Sequence, residues 1–287
     1  VIPAASPRER AKDRAFRGLL VFCTAAGIGM LGLLLYDVAG DGGSKVSWDF
    51  VTSFPSSFPD KAGIESALMG TIWLMVVCGA FIVPVGVSTA IYLEEYADRD
   101  RWWNRFVEVN IQNLAAVPSI VYGILGLAFL VRGPLELGRV VLAGGLTLGL
   151  LVLPVVIIAA REAIRAVPPS IREGSMALGA TQWQTIRRQV LPAAVPGIAT
   201  GVILSLARAI GETAPLILVG AASFVAFNPE GLDSAYTALP LQIFEWISRP
   251  QPEFKLLAAA GILVLLGLLL TMNGVAIWLR NRFEQQW

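Results

Sequence analysis

The chain contains no histidine. That absence removes imidazole metal sites, Ser-His-Asp triads and the HExxH helix of zinc proteases. Charge is scarce too: 15% of residues are Asp, Glu, Lys or Arg, against about 25% in soluble domains. With a formal net charge of +1, no electrostatic field is available to hold nucleic acid or a strongly charged partner surface. The two cysteines, Cys23 and Cys78, each fall inside an apolar run. They read as small buried hydrophobes rather than disulfide partners, and they do not identify a redox compartment. No G-x4-G-K-[ST] pattern occurs, so the chain has no P-loop with which to hydrolyse ATP. An intramembrane enzyme finds no nucleophile–base pair, catalytic and metal residues are none, and no internal repeat or low-complexity tract stands out.

What the chain has in abundance is apolar sequence. Hydrophobic residues fill 55% of its 287 positions, and the mean hydropathy is +0.67. The expected class is all-α integral membrane. The first uncharged run, residues 19–36, follows Arg8, Arg10, Lys12, Arg14 and Arg17; at about 18 residues it just crosses the hydrocarbon core. A signal peptide is the rival reading, but no A-x-A-like site follows and the run is long for one. Residues 37–61 read as an outer loop with interfacial Trp48, Phe50, Phe54 and Phe58. The second run, 66–93, holds Pro84 as a potential kink. The third, 109–131, carries Gln112, Asn113, Pro118 and Ser119 near its start. Such polar and helix-breaking residues need protein neighbours at membrane depth. Pro118 and Ser119 fit either a gate element or a kink that relieves packing, with the kink preferred.

The fourth run, 140–160, offers Gly144, Gly145 and Gly149 for close helix approach. A fifth is expected from about 194 to 227, interrupted by Arg208 and Glu212, then a loop over 228–254, then a sixth run over 256–279. The division is therefore a tail at 1–18, one six-helix domain at 19–279 and a tail at 280–287. Basic residues test the orientation. The N-terminal group, Arg99, Arg101 and Arg105, then Arg161, Arg165, Arg172, Arg187 and Arg188, and finally Arg280 and Arg282 all fall on one side. The other side has Lys45, Lys61, Arg132, Arg139, Arg249 and Lys255. The positive-inside bias puts both termini in the cytoplasm.

One stretch, residues 168–192, is polar between two very apolar spans. Ser170 with Glu173, and Thr181 with Gln184, have the spacing of capping boxes. Gly179 between them is placed as a left-handed helix terminator, and Pro192 is expected to stop the second helix. The reading is a cytoplasmic knob of helix, glycine turn and helix. Gly174, Ser175 and Ala177 leave little side-chain bulk on its first helix, so a soluble partner's groove could approach closely. An ordinary polar loop is the bland alternative.

Arg208 and Glu212 are the chemical signal inside the membrane. Four positions apart on a helix they can pair, and a charge at that depth costs ~2.5–3.5 kcal/mol on insertion scales, which makes function the default hypothesis. A guanidinium fork suits an oxyanion. Conduction needs escapable contacts, so Glu212 would hold Arg208 and temper its attraction on a translocation path. A charge pair locking two helices is the competing reading. Gly211 and Pro215 flank the pair and read either as a helix break exposing N–H groups or as a packing accommodation.

The spacing E-x5-G-x11-L-P, here Glu173, Gly179, Leu191 and Pro192, resembles the EAA loop of ABC importer permeases. Gly174 and Ser175 stand where that family usually has alanines, and Gln189 where it usually has isoleucine. NLAAVPSIVYGILGLAF (113–129), ARAIGETAPLILVGA (207–221) and LPLQIFEWISRP (239–250) are similar to the PstA family of phosphate-transport permeases. The resemblance covers most of the chain from about residue 66 onward. It implies a type I ABC importer permease fold and a coupling loop whose Arg172, Glu173, Gly174, Ser175, Ala177, Leu178 and Gly179 meet an ATPase. It also implies a PstC-like permease partner, two PstB-like ATPases that use ATP and Mg, and a PstS-like phosphate-binding protein. Sulfate, molybdate and phosphonate remain open as substrates, since Arg208 suits any of them. A secondary transporter is the runner-up; it would carry more intramembrane acids or histidines than Glu212 alone and often inverted repeats.

Overall fold

The computed structural model describes residues 7–98, 100–221 and 224–283; Arg99 and Trp287 lie outside them. Among the described residues every regular element is helical. In order these are α1 (Pro7–Gly42), α2 (Trp48–Thr52), α3 (Glu65–Ile91), α4 (Trp102–Ala115), α5 (Ser119–Leu125), α6 (Val141–Arg165), α7 (Pro169–Ala177), α8 (Gln182–Thr185), α9 (Leu191–Ile210), α10 (Ala214–Val219), α11 (Leu239–Ser248) and α12 (Pro252–Phe283). Among the described residues, five helical segments are long and apolar enough to span a membrane, and a sixth if the bent pair α4–α5 counts as one. That pair turns through 109° at Pro118, which starts α5 as its N-cap. The third run is therefore two helices broken at Pro118, a bend that either a gate element or a packing kink would need.

The centre of the bundle is α3 against α6, and glycine makes it possible. A Cβ on Gly145 would sit 2.6 Å from Val77, and one on Gly149 2.6 Å from Phe81; at Gly144 the space is taken by the Tyr236 hydroxyl. Leu74, Cys78, Ile82, Leu148, Val152 and Val156 fill this interface, and Ile210 and Leu216 close it. Tyr236 is itself buried, and burial pushes its phenol well above the ordinary range. A second core, around Trp246, Phe254 and Phe50, joins α11, the start of α12 and α2. A third, around Ala90, Ile164, Val190 and Ala194, lies where α3, α6 and α9 approach the knob.

Several sequence expectations shift. Helix α1 runs on to Gly42 rather than ending at Tyr36, and its apolar face is exposed throughout; Cys23 on it is exposed rather than buried. Exposed apolar surface of this extent suits lipid or another membrane helix. Residues 228–254 are not all loop, because Leu239–Ser248 forms α11 with Trp246 wholly buried. The fifth span ends earlier than expected, and the continuous helix that carries it starts inside the knob. It covers Gln182–Ile210, and Gly211 caps it, with Gly211 and Glu212 N–H groups bonded back to Arg208 and Ala209 carbonyls. Pro215, which has no N–H to extend that helix, opens the separate α10 instead. Helix α12 runs antiparallel to α9: Met272 and Ala276 lie beside Ile203 and Ala207, and Arg280 donates to Thr200 Oγ1 at 3.0 Å. Its basic end thus points toward the knob.

Candidate functional site

The knob forms as helix, turn, helix, but by different local chemistry at its two ends. Thr181 is the N-cap of α8 in a full capping box: its side chain accepts from Gln184 N at 3.3 Å while Gln184 Oε1 accepts from Thr181 N at 2.9 Å. Ser170 does not cap α7. Pro168 is the N-cap and Pro169 the first helical residue, so the proline's fixed φ starts the helix before Ser170 and leaves that serine inside the first turn. At the other end of α7, Gly179 has φ +85°. Its N–H donates to Met176 O at 2.9 Å and Ala180 N–H to Ser175 O at 3.2 Å, the paired bonds of a Schellman turn.

Pro192 does not stop the second helix. A π-helical turn, Ile186–Val190, precedes it, and Leu191 N–H bonds to Ile186 O. The wider turn shifts the bonding register just ahead of the ring, so the helix continues as α9 with proline in its first turn, where no donor is needed.

The predicted contact residues divide by orientation. Glu173, Gly174, Ala177, Leu178 and Gly179 are exposed, while Ser175 is half-buried and shares a 2.9 Å hydroxyl bond with Thr185 that staples α7 to α8. Leu178 is 91% exposed at the tip, with Met176 and Trp183 also exposed. A Cβ on Gly174 would meet no atom within 4 Å. A cleft of about 420 Å³ between the helices is lined by Ser170, Gly174, Leu178, Gln184 and Arg188 among others. The tip is thus small, shaped and apolar on a polar base, with Leu178, Met176 and Trp183 exposed together.

Arg172 points the other way. Its Nε and Nη2 donate to Glu95 Oε1 at 3.0 and 2.7 Å, its Nη1 to Val167 O at 2.7 Å, and Nη2 also to Ile164 O at 2.8 Å. Sequence reasoning missed the acidic partners. Glu94 and Glu95 sit in a π-helical turn, Tyr92–Tyr96, that finishes α3. Glu94 pairs with Arg165 at 3.0 Å and Arg161 at 3.6 Å, and Arg161 reaches Glu108 at 3.0 Å. The signal was an adjacent acidic pair closing an apolar span, with two arginines one turn apart on α6. No group of acidic residues or cysteines with metal-holding geometry occurs among the described residues.

Arg208 and Glu212 do come together, Nε to Oε1 3.6 Å. Arg208 occupies the last turn of α9, where the carbonyl end of the helix favours a cation. The pair ties that turn to the connection after it. Arg208 is half exposed and shares an open stripe of α9 with Leu204, while Ala209 and Ile210 on the other side are buried. The guanidinium therefore lies on an uncovered face of the bundle with its carboxylate beside it.

The chain's relatives are transport proteins. A family described as binding-protein-dependent transport system inner membrane component matches residues 82–285. The probable ABC transporter permease protein YqgI of Bacillus subtilis is 30% identical over 93% of this chain and 94% of its own length. The phosphate transport system permease protein PstA 1 of Mycobacterium tuberculosis is 37% identical over 76% of this chain and 70% of its own. Among solved structures, a bacterial alginate ABC transporter has a chain at TM-score 0.68, 18% identical, covering 95% of this chain and 97% of that one. The MetNI methionine ABC transporter has one at TM-score 0.59, 18% identical, covering 76% and 95%. These two establish the type I importer fold. With the capped knob and the bent third run in place, the chain belongs to the family of binding-protein-dependent transport system inner membrane components, the permeases of ABC importers, and PstA proteins are among its relatives there.

Proposed function

We propose that this chain is the permease subunit of an ATP-driven importer of inorganic phosphate, set in the cytoplasmic membrane with both termini and the knob in the cytoplasm. It pairs with a PstC-like permease and receives phosphate from a PstS-like binding protein. Two PstB-like ATPases bind ATP and Mg; the chain itself is not an enzyme and holds no cofactor. The observation that carries the reading is the knob: two short helices, closed by a Schellman turn and a capping box, present an exposed Leu178 tip and the open surface over Gly174. Nothing in the chain's own core needs that surface, whereas an ATPase groove would cover it.

When ATP closes the ATPase dimer, its grooves carry the knobs and the attached α6 and α9 rock between inward and outward openings. Arg208, on the open face of α9, meets phosphate on the path through charge-assisted bonds, and Glu212 keeps the ion from staying. Phosphate is favoured by the PstA relatives. Another oxyanion is the second reading, since a guanidinium fork does not distinguish among them.

Vanadate-sensitive uptake by the purified complex in proteoliposomes, with sulfate, molybdate and phosphonate as competitors, tests the substrate. Purification of the complex without an ATPase would refute the importer reading. Arg208→Gln removes a charged hydrogen bond of ~1.5–3 kcal/mol, so phosphate uptake is expected to fall about tenfold or more while the ATPase stays bound. Unchanged uptake in an assembled variant would remove Arg208 from the path.

A further inference from the structure

We infer that Glu95 is the clasp through which the knob moves α3, a positioning residue for transport. This rests on the knob being the ATPase-coupling loop. In the chain the knob directly follows α6 and directly precedes α9, whereas α3 is separated from it by α4, α5 and α6. Yet α3 forms one wall of the central interface, packed on Gly145 and Gly149 of α6, and must move with that helix when the bundle opens.

Glu95 supplies the missing link, and it does so to both arms. Its carboxylate accepts both Arg172 bonds from α7, and its backbone carbonyl accepts Gln182 Nε2 of α8 at 2.5 Å. Arg172 simultaneously holds the Ile164 and Val167 carbonyls at the end of α6. One residue of α3 therefore grips both helices of the knob and, through one guanidinium, the last turn of α6. The carboxylate is only 8% exposed and Arg172 20% exposed, so the pair is largely sheltered from the solvent screening that weakens surface ion pairs.

The local backbone fits a transmitting joint. Glu95 sits in a π-helical turn closed by Ala97 N–H on Tyr92 O at 2.8 Å, and the knob's second arm enters α9 through another such turn. Wide turns of this kind recur at functional sites. Glu94, next in the same turn, braces the arrangement against α6 through Arg161 and Arg165.

The test uses the whole importer, with its co-expressed ATPase and binding protein, in proteoliposomes supplied with inorganic phosphate. Three quantities are read: ATPase retained on purification, ATP hydrolysed, and phosphate taken up per ATP. Glu95→Gln removes the charge and keeps the shape and the carbonyl. It is expected to retain the ATPase and hydrolyse ATP, while uptake per ATP falls about fivefold or more, the range of typical coupling energies. Glu95→Asp, which keeps the charge, should recover part of that ratio. Gln182→Leu cuts only the other arm at an exposed position and should lower the ratio about twofold. A wild-type ratio in both Glu95→Gln and Gln182→Leu overturns the inference. Loss of ATPase binding in Glu95→Gln also overturns it, because the residue would then hold the knob's shape rather than pass on its motion. A wild-type complex that lacks an ATPase sinks the importer reading itself, an outcome distinct from either.

Discussion

Gly179 is the position where backbone geometry alone should decide whether the knob works. At φ +85°, with open space within 4 Å of a built Cβ, a side chain there meets conformational strain and no clash. The left-handed backbone costs an ordinary L-residue ~1–2 kcal/mol, and valine's branched Cβ makes it a genuine outlier. The chain can escape only by leaving that conformation, which forfeits the Gly179–Met176 and Ala180–Ser175 bonds, each worth ~0.5–1.5 kcal/mol. By either route Gly179→Val raises the docking-competent shape by ~2 kcal/mol, so apparent affinity for the ATPase falls about thirtyfold. The assay is titration of the purified ATPase onto the permease pair in nanodiscs, with ATP hydrolysis and uptake measured in parallel. Gly179→Ala should lie between wild type and valine, and Gly179→Asn close to wild type, because asparagine tolerates the left-handed region. Membrane insertion should be the same for all. Normal binding and coupling in the valine variant, or an asparagine variant as impaired as valine, would refute the reasoning.

Three further variants separate the proposed docking surface from the bundle core. Leu178 is 91% exposed, so Leu178→Ala should leave the melting temperature of the permease unchanged. It should weaken ATPase binding by ~1.5–3 kcal/mol, the worth of burying a leucine side chain in a partner groove; unchanged affinity in a calorimetric titration would remove Leu178 from the interface. Gly145→Val places its Cβ 2.6 Å from Val77 and should destabilise the α3–α6 contact by ~1–3 kcal/mol, lowering the detergent melting temperature. Gly174→Ala, whose Cβ meets nothing, should instead raise knob stability by up to ~1 kcal/mol through helix propensity. Equal melting temperatures for the two glycine variants would contradict the packing account.

What was legible in the sequence was what depends on near neighbours. Thr181 and Gln184 are three apart, Gly179 needs only its own φ, and the Gly144–Gly149 group lies on one helix, so pattern and physics coincide there. Ser170 has the spacing of a cap but does not act as one, because Pro168 and Pro169 start the helix ahead of it with the fixed φ of proline. Pro192 looks like a stop in sequence because the π-helical turn that accommodates it leaves no sequence period. The break at Gly211 was visible in composition, yet its consequence, that α10 leaves α9 and packs with α5 against Gly123, depends on a contact between segments far apart in the chain.

Arg172 shows the same limit at the candidate site itself. Within the loop it is one more polar residue of a docking helix, and nothing nearby distinguishes an arginine that faces an ATPase from one that faces inward. Glu95 decides the matter from 77 positions away. Its carboxylate is largely buried, and a buried carboxylate has to find a cation; Arg172 is the one the fold delivers, held additionally by the Val167 and Ile164 carbonyls. The loop therefore has two faces, one exposed and one bonded to the bundle, and the proposed function gives them separate duties. Leu178, Gly174 and their exposed neighbours form the face proposed to meet a partner, while Arg172 and Gln182 grip the bundle. On the proposed reading, a motion imposed on the first face reaches α3 directly through the second as well as through the packed α3–α6 interface, so weakening the grip should lower transport per ATP while leaving ATPase binding intact.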